Sequence, residues 1–466
     1  MKKLFIILPL FLSGFFFAQK KKTTHSANNK VQRYNYPVEF KKISDEILLN
    51  SNAYENLREL TKNIGPRFSG TPGYEKASVW AEKKLKEAGA ENIWRQDVKV
   101  PIWQRGTESL QIKAENGAWK SIKMLALGNS EGTNGKDLTA EIVLVKDFQE
   151  FSSLPTDKVK GKIIFFNFPM DQTIVNTADS YLLAGKYRWS APSLVGKRGA
   201  KAVITRSLTS AFDDVPHTGS MYYDAEDKIK IPALCIGAKS ADNLEKLLKS
   251  QKVQGKLNLT CGVKGETINH NIIGEIPGKK DNSVIVVAAH LDTWDITEGA
   301  HDDGAGVVHC LEVLRTFKTL DINNNHTIRV VLYANEENGV NGGETYAAYV
   351  KKKGEKHIFA IESDAGGYSP RGISLDMYPQ FRRKIFEWKN LFLPYGVYDF
   401  DQTYAGQDIL PLKKLAIPLA ELVPDTQRYF DIHHTSEDTF DKVNRRELLL
   451  GAVTMAQMVF MVDKNW

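Results

Sequence analysis

Short apolar runs rich in β-branched residues alternate with helical periodicity in the last part of the chain. The runs predict buried strands at 284–289, 328–334, 358–361 and 415–422. Apolar positions three or four residues apart predict helices at 304–320, 341–352 and 444–461. Strands that alternate with helices predict an α/β fold with a mostly parallel, mixed sheet sandwiched by helices.

The pattern changes twice before this region. Helical spacing at 37–63 and 74–87 flanks a loop, GPRFSGTPG, whose Gly and Pro residues indicate an ordered turn. From 118 to 263 short strand-like runs alternate with two weak helical segments. We therefore predict a catalytic domain formed by 37–117 and 264–466, interrupted by a β-rich insert at 118–263.

The insert carries polar residues that show no metal-ligand spacing relative to one another. They are Asp171, Asp179, Asp213, Asp214 and His217. Because such residues are mostly exposed in folded proteins, the prediction for this set is a solvated surface.

The first residues have the pattern of a secretory signal peptide. Two lysines precede a mostly apolar run at 4–17, and Ala18 supplies a small residue near a cleavage point. The run is short and is interrupted by Pro and Gly, which disfavours a membrane anchor. We predict a signal peptide at 1–19, cleaved near 18–19, and a flexible lead-in at 20–36. The mature protein is expected to be periplasmic or secreted, with no stable membrane span.

Composition adds little that is specific. A chain of 466 residues with 42% hydrophobic residues, 25% charged residues and a formal net charge of +6 is ordinary for a globular protein, and does not favour nucleic-acid binding. Cys310 falls on the apolar side of a predicted helix, whereas pairing of Cys235 with Cys261 stays open. No CxxC spacing is present, so a thiolate zinc site is not favoured.

Candidate chemistry lies where the predicted strands end. The residues at these ends, with one from the first loop, are His290, Asp292, Asp302, Glu336, Glu337, Asp364 and His434. Strands of a parallel sheet present their carboxyl ends at one edge, so these side chains are expected to meet there. Histidine with carboxylates suits zinc, and a shared carboxylate suits a pair of ions. Each motif alone is weak, but together they predict a metal site.

Five motifs in order resemble the two-zinc exopeptidase family, which includes zinc aminopeptidases, glutamate carboxypeptidase II and carboxypeptidase Q. They are AAHLDT, GAHDDGAG, ANEENG, ESDAGG and HHTSEDT. The loop GPRFSGTPG extends the resemblance over most of the chain after residue 37, and RYF and AGQDI resemble the carboxypeptidase Q type. The run LVGKRGAKAVITR resembles a protease-associated (PA) domain, the identity predicted for the insert.

The resemblance implies a zinc exopeptidase fold, similar to the phosphorylase/hydrolase type, with two zinc ions per chain. The implied ligands are His290 and Asp364 for one ion, Glu337 and His434 for the other, and Asp302 between them. The implied catalytic residues are Glu336 as general base, Asp292 orienting His290, and His433 as oxyanion donor or structural histidine. Asp438 is expected to orient the region of His434, and His301 to pack in its loop.

The function implied is hydrolysis of terminal peptide bonds in peptides or dipeptides, through a hydroxide bridging the two ions. Carboxypeptidase action or amide hydrolysis on N-acyl amino acids is the alternative, and a non-catalytic binding protein is disfavoured because the site residues are complete. Specificity stays open, because Arg428 would suit a substrate carboxylate and Asp425 a free amine. Because members of the family are often dimers, the resemblance makes a homodimer one possible assembly of this protein.

Overall fold

The computed structural model describes residues 34–466. The predicted signal peptide and all but the end of the lead-in lie outside the described residues. The strands, in chain order, are β1 (Asn92–Gln104), β2 (Glu108–Ala114), β3 (Lys120–Ile122), β4 (Met124–Ala126), β5 (Leu138–Val145), β6 (Ile163–Phe166), β7 (Ala202–Arg206), β8 (Ala233–Ile236), β9 (Val253–Leu259), β10 (Gly262–Ile276), β11 (Val284–His290), β12 (Thr327–Tyr333), β13 (His357–Glu362), β14 (Pro370–Asp376) and β15 (Leu419–Pro424).

The α-helices are α1 (Tyr36–Asn50), α2 (Ala53–Arg58), α3 (Pro72–Glu87), α4 (Phe148–Ser153), α5 (Thr177–Trp189), α6 (Ala191–Gly196), α7 (Ala238–Ser250), α8 (Ala305–Thr319), α9 (Asn341–Lys353), α10 (Pro379–Phe386), α11 (Lys389–Phe392) and α12 (Arg445–Asn465). Short 3₁₀ and π turns join several of them.

The first sheet has seven strands in the order β1-β10-β12-β11-β13-β15-β14. Its four central strands, β12, β11, β13 and β15, run parallel, and the strands outside them are antiparallel. The predicted α/β class with a mixed sheet is confirmed, although parallel pairing is confined to the centre.

Helices cover both faces of this sheet, which explains the continuous apolar runs. Every residue of β11 and of β12 is buried, as expected for strands packed on both sides. One face packs on α1, α3, α8 and α12 through a large apolar cluster, and the other packs on α9 through a smaller one. The strands whose ends carry the candidate residues are therefore packed against an apolar cluster on each face of the sheet.

The second sheet contains eight strands in the order β3-β2-β9-β5-β6-β7-β8-β4, with helices α4 to α7 around it. It starts at Glu108, ten residues before the boundary at 118 predicted from the sequence, because β2 pairs with β9 rather than with the first sheet. The name "insert" is used below for the segment from Glu108 to Leu259.

Two chemical features of the described residues bear on the predictions. Cys235, Cys261 and Cys310 are free, buried thiols, so the pairing left open above does not form in this structure. Among residues 34–466, no helix is both long enough and apolar enough to cross a membrane.

Candidate metal centre

The predicted ligands lie together at the carboxyl edge of the first sheet. His290 ends β11, Glu337 follows β12, and Asp364 follows β13. Asp302 lies in the turn Ala300–Gly304, directly before α8, with a non-helical backbone conformation (φ −118°, ψ 92°). His434 belongs to the segment between β15 and α12. The parallel order of the central strands brings these loops side by side.

Asp302 stands between two groups of donor atoms. Its Oδ1 lies 3.2 Å from His290 Nε2, and Asp364 Oδ1 lies 3.3 Å from the same nitrogen. Its Oδ2 lies 3.3 Å from His434 Nε2, which is also 3.3 Å from Glu337 Oε2. One carboxylate oxygen therefore faces each group, as a carboxylate shared by two metal ions requires.

The donor atoms also fit a metal ion in two further respects: their spacing, and the absence, in the described part of the chain, of hydrogen-bond donors to two of them. Bonds of about 2.0–2.2 Å in a tetrahedral site place neighbouring ligand atoms roughly 3.3–3.6 Å apart, close to the distances seen here. Asp302 Oδ2 and Glu337 Oε2 are buried and accept no hydrogen bond from any described residue. Buried carboxylate oxygens without donors are costly, and a bound cation would satisfy them.

The electrostatics of the cluster agree with this assignment. Burial first, and neighbouring carboxylates second, raise the pKa of Glu337 well above its usual value. Burial acts in the same direction on Asp302, but the adjacent His290 and His434 rings outweigh it and hold the pKa of Asp302 well below the usual range. The cluster therefore concentrates negative charge at a place from which water is excluded, which favours a cation.

Glu336 is placed differently from Glu337, although the two are adjacent in sequence. Glu336 is partly exposed, whereas the Glu337 side chain is buried and points to His434. Burial of its carboxyl group, together with Asp364 and other carboxylates nearby, raises the pKa of Glu336 well above that of a free glutamate. A carboxylate with a raised pKa, outside the ligand set but next to it, suits a general base.

Asp292 contacts His290 through its main chain. His290 Nδ1 donates to the Asp292 carbonyl at 3.0 Å, while the nearer carboxylate oxygen is 3.9 Å away. The carboxylate instead accepts from the backbone N–H of Glu336 at 3.1 Å and from the Ser69 hydroxyl at 3.2 Å. Asp292 thus links β11 to the segment that carries both glutamates.

Asp438 holds the backbone of the Asp302 turn rather than the His434 region. Its carboxylate accepts from the N–H groups of His301 at 2.8 Å and of Asp302 at 3.1 Å. Burial raises the pKa of Asp438 to about 7. The His301 ring stacks on Tyr368 with centroids 4.3 Å apart and accepts from the Gly367 N–H, so it packs in its loop.

Arg67 explains why the GPRFSGTPG loop accompanies the metal motifs. Its fully buried guanidinium donates to the carbonyls of Leu291, Glu298 and Gly299 at 2.7–2.9 Å. These carbonyls belong to the loop between His290 and Asp302, and their hydrogen bonds fix its path. The motif therefore holds the loop that joins two of the predicted ligands, His290 and Asp302.

His433 stacks on His434, with ring centroids 3.6 Å apart. Its Nε2 lies 3.5 Å from Asp302 Oδ2. Burial first, and His434 second, lower the pKa of His433 well below its usual value, which favours the neutral ring. A neutral imidazole has one N–H donor. Its position beside the donor cluster is compatible with an oxyanion donor and with a structural histidine.

Two groups of residues lie close to the predicted ligands without a signal in the sequence. The insert brings Arg188, His217 and Thr218 next to His433 and His434, although the sequence shows no metal spacing around them. The prediction of an exposed surface is wrong for His217, which is 2% exposed. Three further buried carboxyl groups, those of Glu362, Asp408 and Glu421, are electrostatic neighbours of the predicted site residues, and burial raises the pKa of each.

The two residues considered for substrate termini have other partners. Arg428 pairs with Glu447 on the surface at 3.0 Å. Asp425 caps the following 3₁₀ turn and lies 3.3 Å from Arg371. Neither side chain is directed at the donor cluster by these contacts.

Comparison with known proteins places the chain in a family. The model of peptidase family M28 matches residues 271–459. Human carboxypeptidase Q is 31% identical over 414 residues, covering 88% of this chain and 85% of its own. Aminopeptidase YwaD from Bacillus subtilis is 25% identical over 430 residues, covering 89% of this chain and 85% of its own.

A solved structure extends the similarity to the whole fold. The peptidase M28 precursor from Shewanella amazonensis SB2B superposes with a TM-score of 0.87 at 30% identity, covering 92% of this chain and 97% of its own. Its coverage includes the insert as well as the first sheet. With the ordered donor cluster described above, these similarities establish that the chain belongs to peptidase family M28 and is a metallopeptidase.

Proposed function

We propose that the protein is a two-zinc exopeptidase that cleaves dipeptides and the terminal bonds of short peptides. The observation that carries this proposal is the position of Asp302, which presents one oxygen to His290 and the other to His434. In the proposal His290 and Asp364 hold one ion, Glu337 and His434 hold the other, and Asp302 is shared. Imidazole with carboxylate is a donor set that zinc favours.

Bound zinc would supply Lewis acidity, polarising the scissile carbonyl and making a water molecule acidic near neutral pH. Glu336 accepts the proton of the attacking water and later delivers it to the leaving amine. His433 donates a hydrogen bond to the oxygen on which negative charge develops. Asp292 keeps Glu336 in reach by accepting from its backbone N–H.

A buried arginine of the insert is proposed to bind the free carboxylate of the substrate. Four arginines of the described chain are at most 8% exposed: Arg67, Arg105, Arg188 and Arg329. Arg105 and Arg329 pair with carboxylates, and Arg67 bonds three carbonyls. Arg188 has no carboxylate within ion-pair distance in the described residues, which is unusual for a buried cation.

The surroundings of Arg188 place it beside the donor cluster. Its Nη2 donates to the Tyr181 hydroxyl at 2.7 Å, its Nη1 reaches the Thr218 carbonyl at 3.3 Å, and its Nε has no partner. The Tyr181 ring packs edge-on against His433, with centroids 5.2 Å apart. A guanidinium has five N–H donors, so most of them remain available for a carboxylate. This supports dipeptides, whose carboxylate lies close to the scissile bond.

The remaining assignments are proposals of the same kind. We propose that the insert is a PA domain, that residues 1–19 are a cleaved signal peptide, and that the enzyme acts in the periplasm or outside the cell. A homodimer is the assembly to be tested by light scattering.

Hydrolysis of a small panel of substrates tests the proposed function. We expect the zinc-loaded protein to cleave Ala-Leu, to lose this activity with a chelator, and to regain it when zinc is restored. N-acetyl-Ala-Leu should be a poor substrate, and zinc analysis should give about two ions per chain. Cleavage of the acetylated substrate alone would overturn the dipeptidase proposal in favour of amide hydrolysis on N-acyl amino acids.

Replacing Arg188 tests the carboxylate site. We expect Arg188→Met to lower kcat/KM for Ala-Leu by about 10- to 100-fold, the range for lost charged hydrogen bonds, mainly through KM. Ala-Leu-amide, which has no carboxylate, should be affected far less. Arg198→Met is the matched control, because Arg198 also belongs to the insert but donates to the carbonyls of Phe151 and Leu154. Equal losses for acid and amide would show that Arg188 is only structural.

A further inference from the structure

Two consecutive residues of the insert contact two consecutive residues of the metal-binding segment. His217 Nδ1 lies 2.8 Å from the carbonyl oxygen of His433. The Thr218 N–H donates to the carbonyl of His434 at 3.1 Å. The Thr218 carbonyl lies 3.4 Å from His434 Nδ1. These contacts join positions 216 residues apart in sequence and leave little freedom to the peptide that carries His434.

The carbonyl of Thr218 determines which nitrogen of His434 can bind a metal. A carbonyl only accepts hydrogen bonds, so His434 must carry its hydrogen on Nδ1 to bond with Thr218. The other nitrogen, Nε2, is then unprotonated, and it is the one that faces Asp302 and Glu337. Metal-binding histidines usually have such a partner on the second nitrogen, which fixes the tautomer and the ring orientation.

His217 makes a second contact with the same segment. Because the His433 carbonyl accepts, the hydrogen of His217 lies on Nδ1, and the bond restrains the peptide between His433 and His434. His434 adopts a left-handed backbone conformation with φ of +62°, which is unfavourable for a residue with a side chain. A conformation of this kind persists only where its surroundings impose it.

The contacts are anchored in the second sheet rather than in the loop alone. The His217 N–H donates to the Ser207 hydroxyl at 2.8 Å, and the Thr218 hydroxyl donates to the Ala126 carbonyl at 2.8 Å. Ala126 ends β4, and Ser207 follows β7 directly. Both residues are buried, with exposures of 2% for His217 and 0% for Thr218.

We infer that the insert is part of the metal centre: His217 and Thr218 are positioning residues that hold His434 in the orientation for metal binding. The inference rests on the proposed two-zinc function and deepens it, since it makes the position shared by Glu337 and His434 dependent on the insert. Among residues 34–466, the insert makes no such contact with His290 or Asp364. Binding of metal and docking of the insert then stabilise each other, as thermodynamic linkage requires.

Zinc affinities of the holoenzyme, measured by chelator competition, test the inference with three variants. We expect His217→Ala to weaken one of two zinc sites by about 10- to 100-fold, as when an outer partner of a ligand is lost, and to leave the other unchanged. His217→Asn should restore most of the affinity, because its amide nitrogen can donate from nearly the same place as Nδ1. His357→Ala is the control: His357 is another buried histidine, bonded to Tyr346 at the opposite end of β13.

A double-mutant cycle identifies the affected site. His434→Ala should remove the same site, and adding His217→Ala to it should cost no further affinity, since the two changes act on one ligand. Equal weakening of both sites, no weakening, or failure of His217→Asn to restore affinity would overturn the positioning role while leaving the proposed function intact.

Amide exchange separates the two proposals further. If the unmodified protein binds fewer than two ions, the proposed function is wrong, and the positioning role is judged by exchange at the Thr218 amide. Slower exchange of this amide when metal is present, lost in His217→Ala, supports the coupling. Exchange that does not change with metal overturns it.

Discussion

The variant Asp302→Ala is expected to lose both metal ions, whereas loss of any other ligand should empty one position. Asp302 is the only predicted ligand whose two oxygens face different histidines, with Oδ1 toward His290 and Oδ2 toward His434. Removing the carboxylate takes a donor from each group at once. It also removes the negative charge that holds two dications close together. Metal content after gel filtration, measured by mass spectrometry, should fall from about two ions per chain to near zero.

Two further variants make this result specific. His434→Ala should retain one ion, because His290, Asp302 and Asp364 still form a complete group. Asp302→Asn keeps one oxygen and should therefore retain at most one ion. Thermal unfolding of each apo variant shows whether the fold is kept. Two tightly bound ions in Asp302→Ala would mean that Asp302 is not the shared ligand.

The bounds of the strands that precede the predicted ligands could be predicted from the sequence, because these strands are continuous apolar runs buried on both faces of the sheet. β11, β12 and β13 begin and end within one residue of the predicted bounds. β15 was predicted from 415 but starts at Leu419, because a 3₁₀ turn ends at Leu415 and Ala416 follows with φ of +59°. Apolar periodicity does not distinguish such a turn from the start of a strand.

The gathering of the ligands could be predicted from topology, but their supporting contacts could not. Parallel strands share one edge, so His290, Glu337 and Asp364 had to approach each other. The family resemblance implies that Asp438 orients the region of His434, yet its carboxylate accepts from the backbone N–H groups of His301 and Asp302. Backbone donors leave no trace in a sequence, since every residue except proline has one.

The contribution of the insert was beyond sequence reasoning for a related reason. His217 lies in a segment without periodicity, and its partner His433 is 216 residues away. Arg188 likewise resembles an ordinary helical surface arginine, and only the structure shows it to be buried without a carboxylate. Contacts between the insert and the first sheet depend on how the two pack together. The local pattern of apolar and polar residues does not predict that packing.

The second large effect follows from the proposed roles of Glu336 as general base and Glu337 as metal ligand. Glu336→Gln is expected to lower kcat by about 10²- to 10⁴-fold, the contribution typical of a general base. Glutamine has nearly the same size as glutamate and can form hydrogen bonds, but it cannot take a proton from water at neutral pH. Among the described residues the Glu337 carboxylate contacts His434, whereas the Glu336 carboxylate makes no hydrogen bond or ion pair with a predicted ligand. Both metal ions and the KM for Ala-Leu should therefore be retained in Glu336→Gln.

Glu337→Gln is the matched comparison, one residue away and of the same chemistry. Its oxygen lies 3.3 Å from His434 Nε2, so this change should weaken the ion held by His434 as well as lower the rate. Metal content therefore separates the two glutamates: full occupancy with little turnover for Glu336→Gln, and lowered occupancy for Glu337→Gln. Added zinc should recover activity in part for Glu337→Gln and not at all for Glu336→Gln. A Glu336→Gln enzyme that keeps its metal and turns over at the normal rate would show that another group accepts the proton.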